Sequence, residues 1–367
     1  MRVLVANAGS SSLKLSLLDA DDRVLASREL VAPGDHVDGA QLRAALDDGL
    51  GDADVVGHRI VHGGERFREA VRIDAEVEAA LRALAYLAPL HQAKSLRALD
   101  AVSAALPGLP AVACFDTAFH ATLPAAAATY ALPAAWRERF AIRRYGFHGL
   151  SHAWVARRAP ALLRRDDSAG LRLLSCHLGA GASLCAIADG RSVDTTMGFT
   201  PLEGLVMATR SGSVDPGLLL WLLQHGGLSE ETLGHALENE SGLLGLAGTA
   251  DMREVLAGAQ AGEGRAQLAL DVYVHRLAAS VAAMVASLGG IDALIFTGGV
   301  GARAARVREL AAARLGFLGV AIDPARNGDV TGDGDVSAGA AQTRTLVIEA
   351  REDLEIARQT RGLLARG

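Results

Sequence analysis

Residues 2–27 read RVLVANAGSSSLKLSLLDADDRVLAS, and residues 171–196 read LRLLSCHLGAGASLCAIADGRSVDTT. Each stretch has the same plan. A short apolar run meets a Gly/Ser or Gly/Ala turn, a second apolar run follows, then an Asp-containing turn and a third run. Apolar runs bounded by such turn residues read as a strand–turn–strand–turn–strand unit. Identity between the two stretches is slight, so the pattern predicts an architectural duplication rather than a simple tandem repeat.

Outward from these two openings, strands alternate with helices. Residues 55–61 and 112–115 read as strands, and 74–87 and 94–106 as helices. In the second half, 215–225 and 266–288 read as helices. Residues 293–297 form a short apolar strand followed by Gly298-Gly299-Val300-Gly301 and a helix through Leu315, and a last helix covers 351–364. The pattern is α/β with a hairpin opening each half. A length of 367 residues suits about two domains. The boundary is expected in residues 149–167, where charged residues and a proline interrupt the pattern, with the two halves closing on a shared cleft.

Composition excludes several classes. Half the residues are apolar and 21% are charged, which supplies core material and argues against disorder. Aromatics are 4%, too few for base-stacking platforms, and the net charge of −6 disfavours a broad nucleic-acid or anionic-membrane surface. No nucleic acid and no membrane are therefore expected as partners. The three cysteines, Cys114, Cys176 and Cys185, lack metal-ligand spacing and point to a reducing cytoplasm. The N-terminal apolar run is too short for a secretory core, and the apolar stretch 277–291 falls short of a span and reads as a buried helix. Only two lysines and three asparagines occur in an Ala- and Arg-rich chain. Lys14 and Asn7 both fall in the opening turn unit, which marks that unit as a place where those side chains matter.

The turn Asn7-Ala8-Gly9-Ser10-Ser11-Ser12-Leu13-Lys14 offers backbone N–H groups and hydroxyls to phosphate oxygens, and an ordinary hairpin turn is the alternative. His177-Leu178-Gly179-Ala180-Gly181 repeats the logic in the second half, and neither is a Walker A loop. Arg59 in GHRIVHGGE and Arg210 in TRSG stand beside small residues, where guanidinium forks suit carboxylate and phosphate. Asp116 follows a predicted strand and either holds a metal or caps a helix. His148 and His91 lie in loop-like stretches, where a structural hydrogen bond is the plainer reading. Asp251 and Arg253 open a helix, with simple capping as the alternative. Gly299 and Gly301 sit in a strand–turn–helix that lets a ligand approach backbone closely.

Taken in order, these segments resemble the acetate kinase family of acetate/propionate kinases. NAGSSSLK (7–14) and RRYGFHGLSH (143–152) match its two signatures, and GHRIVHGGE, FDTAFHATLP, TRSG and ADMRE match further segments. The resemblance implies an α/β, two-domain actin–hexokinase-like (ribonuclease H-like) ATPase fold with a duplicated core. One lobe would comprise 1–149 with 350–367, and the other 150–349. It implies a homodimer that reversibly transfers a phosphoryl group between ATP and a short carboxylate, with Mg²⁺ or Mn²⁺ in its place. Carried over by position, Asn7 and Glu352 would hold the metal, and Asp116, His148, Arg210 and Arg59 would be catalytic. Val61, Leu90, His91, Phe147 and Pro201 would line the acyl site with Arg59. Ser10, Ser12, Lys14, His177, Gly179, Gly181, Asp251, Arg253, Gly299 and Gly301 would contact the nucleotide.

The chain departs from the family pattern at four places. Ala180 replaces an Asn, Gln92-Ala93-Lys94-Ser95 replaces N-P-x-N, Ala302-Arg303 replaces Glu-Asn, and Arg351-Glu352-Asp353-Leu354 stands for N-E-E-L and retains its first carboxylate. Ala302-Arg303 leaves pyrophosphate or another nucleotide as the alternative donor, and Ala180 leaves a weakly catalytic nucleotide-binding relative.

Overall fold

The computed structural model describes residues 1–9, 12–31 and 38–366, without the side chains of 89–91. It forms two mixed sheets. The first contains β1 (Val3–Ala8), β2 (Ser12–Leu18), β3 (Val24–Val31), β4 (Val55–Ile60), β5 (Val71–Arg72) and β6 (Ala111–Phe115), in spatial order β3-β2-β1-β4-β6-β5. The second contains β7 (Arg172–Leu178), β8 (Ala182–Ala188), β9 (Arg191–Thr195), β10 (Ala293–Thr297), β11 (Gly334–Asp335) and β12 (Arg344–Val347), in order β9-β8-β7-β10-β12-β11.

The two orders are the same topology. The first three strands of each sheet form an antiparallel meander. The first strand then pairs in parallel with the fourth (β1 with β4, β7 with β10), and that strand in parallel with the next along the sheet (β6, β12). A two-residue antiparallel strand closes each edge. The duplication expected from the two opening stretches is therefore a duplication of sheet topology.

By contact, the chain divides into two compact units. One is Met1–Ala121 with Phe147–Trp154 and Arg351–Gly367, and the other is Thr122–Gly146 with Val155–Ala350. The sequence-based boundary at 149/150 differs from this division. Residues 122–146 pack with the second unit, and Phe147–Trp154 return to the first. The stretch 149–167 is no break either, because Gly149–Leu162 is a continuous helix that carries Pro160 inside it. Ala88-Pro89-Leu90-His91, read as a loop, instead begins the Pro89–Ala105 helix. Proline suits a first helical turn, where its missing N–H costs nothing.

In the first unit, alternate residues of the central strands face opposite layers, as a pleated sheet requires. Leu4, Ala6 and Val56 pack with Ala98 and Val102 of the Pro89–Ala105 helix. Val3, Val5, Val55 and Cys114 pack with Leu354, Ile356 and Ala357 of the C-terminal Glu352–Leu364 helix. In the second unit, the 25-residue Gly264–Leu288 helix is long and apolar enough to cross a membrane, yet it lies along β7, β8 and β9 with nine buried residues. It is the buried helix that the sequence suggested.

Gly57 shows how close the packing on β4 is. A Cβ there would stand 2.6 Å from Thr360 Oγ1 and 2.7 Å from Ile356 Cγ2, both on fully buried residues. Gly57→Ala is therefore expected to lower stability by about 1–3 kcal/mol through overpacking. Thermal melting of the single variant, and of the double variant with Thr360→Ala, checks this. Removing the hydroxyl and methyl should recover part of the loss.

Candidate active site

In the first unit, parallel β1, β4 and β6 end side by side, and α/β sheets hold ligands at such carboxyl ends. Asn7, Arg59 and Asp116 all come from these ends. Arg59 Nη2 lies 2.5 Å from Asp116 Oδ2, its Nε donates to both carboxylate oxygens at 3.1 and 3.2 Å, and its Nη1 donates to Ala8 O at 2.6 Å. Asn7 Nδ2 donates to Glu352 Oε2 at 2.8 Å, which brings the start of the C-terminal helix to the same strand ends.

Asp116 caps no helix. Its N–H donates to Ile60 O, and its carbonyl accepts from Gly149 N at 2.9 Å. A Cβ on Gly149 would lie 2.1 Å from that carbonyl oxygen, so the approach demands glycine. His148, just before it, is held at φ +56°, the left-handed region that side chains other than glycine rarely adopt. Phe147 is buried, accepts at its carbonyl from His120 Nε2 at 3.0 Å when that nitrogen carries the proton, and meets the His62 ring edge-on at 5.6 Å. Val61, one residue past β4 and adjacent to His62, is buried too.

Electrostatics tie these groups together. Burial alone would lower the Arg59 pKa, but the Asp116 and Glu352 charges outweigh it and push the value up. Burial pushes the Asp116 carboxyl above the ordinary aspartate range, Arg59 pulls against the rise, and Glu352 adds to it. The set is a largely buried Arg59–Asp116 ion pair that also feels the Glu352 charge.

In the second unit, β7 and β10 end in register at His177 and Thr297; β7 runs into the Gly179–Gly181 turn, whereas Gly298–Gly301, read as a turn, already forms the start of the Gly298–Arg303 helix. Gly179 N donates to Gly181 O at 3.0 Å. A Cβ on Gly179 would stand 3.8 Å from His177 Nε2 and 4.0 Å from Gly299 N, so the two turns are neighbours. Gly299 itself has no heavy atom within 4 Å of where its Cβ would be. Ala208 N donates to Ala180 O at 3.1 Å, which ties the Arg210 loop to the first of these turns. Arg210 Nη1 donates to Pro201 O at 2.7 Å, and its Nε lies 3.8 Å from Glu238 Oε2.

Other candidates lie apart. Ser12 Oγ donates to Glu29 Oε1 at 2.6 Å, and Lys14 is exposed with Nζ 4.0 Å from the same carboxylate. Asp251 accepts from Arg253 N at 2.8 Å and pairs with the exposed Arg253 side chain, which is the capping arrangement. Ser10 and the side chains of Leu90 and His91 lie outside the described residues. Sequence reasoning missed Glu238, which faces Arg210, and Ala8, whose carbonyl holds Arg59. The first sits in a segment with no recognisable motif, and the second acts through backbone alone.

The second unit thus places two glycine-rich segments at strand ends beside an arginine loop, on a sheet whose topology repeats that of the first. The sequence profile of the acetokinase family matches residues 39–358. An acetate kinase from Gloeobacter violaceus is 52% identical over 310 residues, covering 84% of this chain and 76% of its own. The crystal structure of Porphyromonas gingivalis acetate kinase superposes with a TM-score of 0.90 at 35% identity, over 99% of each chain. A propionate kinase from Francisella tularensis superposes with a TM-score of 0.89 at 34% identity, over 98% of each. The chain belongs to the acetokinase family, and its reaction is phosphorylation of a short-chain carboxylate by ATP.

Three histidines in the first unit are buried and neutral. His58, His62 and His120 are each lowered by burial to about 4. Below pH 6.5 the unfolded chain takes up protons that the folded chain refuses, so stability must fall as pH drops from 6.5 towards 4. The loss is up to about 1.4 kcal/mol per histidine per pH unit in that window. Melting temperatures at pH 7, 6 and 5 check this, and a flat profile would show the rings to be protonated in the fold.

Proposed function

We propose that the enzyme transfers the phosphoryl group in line and directly to acetate or propionate, with the residues in the roles that follow. The observation that carries the reading is the Arg59–Asp116 pair at the ends of β4 and β6, with Asn7–Glu352 beside it. A carboxylate substrate is already ionised at pH 7, so no general base is needed. Catalysis then consists of positioning and of neutralising charge on the moving phosphoryl group.

Arg59 binds the acyl anion, with Val61, Leu90, His91, Phe147 and Pro201 setting the short apolar site. Arg210 and His148 stabilise the oxygens of the transferring group. His177, Gly179, Gly181, Gly299 and Gly301 receive the nucleotide, the glycines through bare backbone. Ser10, Ser12, Lys14, Asp251 and Arg253 keep the nucleotide roles that the family pattern gives them. For Ser12 and Lys14 this requires release from Glu29, and for Asp251 and Arg253 a shift from mutual pairing.

The donor set for a divalent cation is all oxygen. Asn7, Glu352 and Asp116 offer an amide and two carboxylates, which fits Mg²⁺, an ion that keeps several waters and binds substrate phosphates. Bound there, the metal supplies charge neutralisation on the phosphates, and Mn²⁺ presents the same ligand preference. Among the described residues all three cysteines are unpaired and buried, as suits a cytoplasmic enzyme.

The Pro216–His225 helix supports a homodimer. None of its residues is buried, and Leu218, Leu220 and Trp221 stand half exposed. A contiguous apolar face of that kind marks an association surface. Leu220→Glu with Trp221→Glu is expected to shift the mass in light scattering from two chains to one.

Purified protein with Mg-ATP should form acyl hydroxamate from acetate and propionate in the presence of hydroxylamine, and pyrophosphate in place of ATP should give none. Arg210→Ala should cut turnover at least a hundredfold while leaving the melting temperature within about 2 °C, as expected for a transition-state contact. Near-normal turnover in that variant would displace Arg210 from its role.

A further inference from the structure

Arg308, on the Ala305–Arg314 helix, is 1% exposed and is the bulkiest fully buried side chain among those described. No carboxylate pairs with it among the described residues. Its partners are all carbonyl oxygens. Nε donates to Asn327 Oδ1 at 2.7 Å, Nη2 to Asn327 O at 2.7 Å, and Nη1 to Gly301 O at 3.0 Å and Ala302 O at 2.8 Å. Asn327, itself buried, returns Nδ2 to Ala305 O at 2.9 Å. Burial lowers the arginine's pKa, so the charge is held against a solvation cost by these dipoles alone.

Such an arrangement is wasteful as core filling, because apolar residues of similar volume would pack there without stranding a charge. Its location explains it. Gly301 and Ala302 are near the C-terminal end of the short Gly298–Arg303 helix, where carbonyls lack intrahelical donors and a cation is favoured. Residues 298–301 are Gly-Gly-Val-Gly. Three of the four have no side chain with which to anchor themselves, and glycine is the residue with most backbone freedom to lose. Gly298 at φ +78° also packs against the Leu178 carbonyl, where a Cβ would stand only 2.7 Å from the oxygen. The turn must be open to a ligand and still fixed, so its anchor has to come from outside.

We propose that Arg308, with Asn327 setting the plane of its guanidinium, is a positioning residue for the nucleotide: it grips the Gly301 and Ala302 carbonyls and so fixes the backbone of Gly299 and Gly301 that the nucleoside approaches. The inference rests on the assignment of that turn to the nucleotide. A lysine cannot replace the clamp, since one ammonium cannot reach two separated carbonyl pairs in a plane.

The test is Arg308→Lys and, separately, Asn327→Ala. Steady-state constants for ATP and acetate, calorimetric ADP binding and melting temperature are measured on each. The expected result is a tenfold or greater rise in the ATP KM and the ADP Kd, with kcat and the acetate KM within threefold of the unaltered enzyme. A lower melting temperature with an unchanged ATP KM would make Arg308 a plain core residue and overturn the proposal. So would an equal change in both substrates' constants. If Arg308→Lys does not fold, Asn327→Ala carries the same readout. An unaltered chain that makes acyl phosphate but shows no such split in either variant refutes the clamp alone. An unaltered chain that binds no ADP refutes the nucleotide assignment and the clamp with it.

Discussion

A guanidinium paired with a buried carboxylate organises the strand ends of the first unit. Arg59 is held by Asp116 on one side and by the Ala8 carbonyl on another, with the Glu352 charge acting on both members of the pair. Buried ion pairs of this sort contribute little net stability, because desolvation of both partners offsets their attraction. A fold seeking stability alone would fill the space with aliphatic side chains. What the pair does supply is a fixed orientation. Three strands and the start of the C-terminal helix are tied together through Arg59–Asp116, Arg59–Ala8 and Asn7–Glu352. The left-handed His148 and the close approach of Gly149 to the Asp116 carbonyl belong to the same region, one a backbone conformation and the other a contact that few residues allow.

Duplication explains why the chemistry falls where it does. In both sheets the central parallel strands end side by side. The two copies have since diverged in what they carry. The first presents polar and charged side chains (Asn7, Arg59, Asp116), whereas the second presents bare backbone (Gly179, Gly181, Gly299) with one arginine loop attached. Side chains suit a small anion and a metal, which need point charges at short range. Exposed N–H groups suit a phosphate chain, which needs many donors along its length.

Much of this was legible in the sequence because two strong signals coincide there. The opening stretches 2–27 and 171–196 alternate apolar runs with turn residues, and β1 to β3 and β7 to β9 fall within them. Arg59, Asp116, Arg210 and the glycine turns were visible because small residues surround them. What escaped is what depends on distant partners. Pro89 and Pro160 read as breaks, yet the first occupies an initial helical turn and the second is tolerated within a helix. Residues 122–146 carry no marker of the unit they join, because that choice is made by packing with residues such as Gly198 and Glu203, far along the chain. Asp251 and Arg253 gave a motif that the structure uses first as a helix cap.

The scarcity of asparagine sharpens the last point. The chain keeps three. Asn239 sits exposed and bonds only within its own turn, to the His235 carbonyl. The other two each do what an aspartate could not. Asn7 donates to the Glu352 carboxylate, where a second carboxylate would repel it and leave no proton between them. Asn327 accepts from Arg308 with one end of its amide and donates to the Ala305 carbonyl with the other. Aspartate would gain a charge for the arginine but strand that carbonyl in the interior, where an unmade hydrogen bond costs about 1–3 kcal/mol. Both amides thus supply a proton at a position where aspartate has none to give. Both stand next to turns assigned to substrate, one at the end of β1 and one behind the Gly298–Arg303 helix. Asn7 and Asn327 are retained where an amide proton has no substitute among the amino acids that the composition favours.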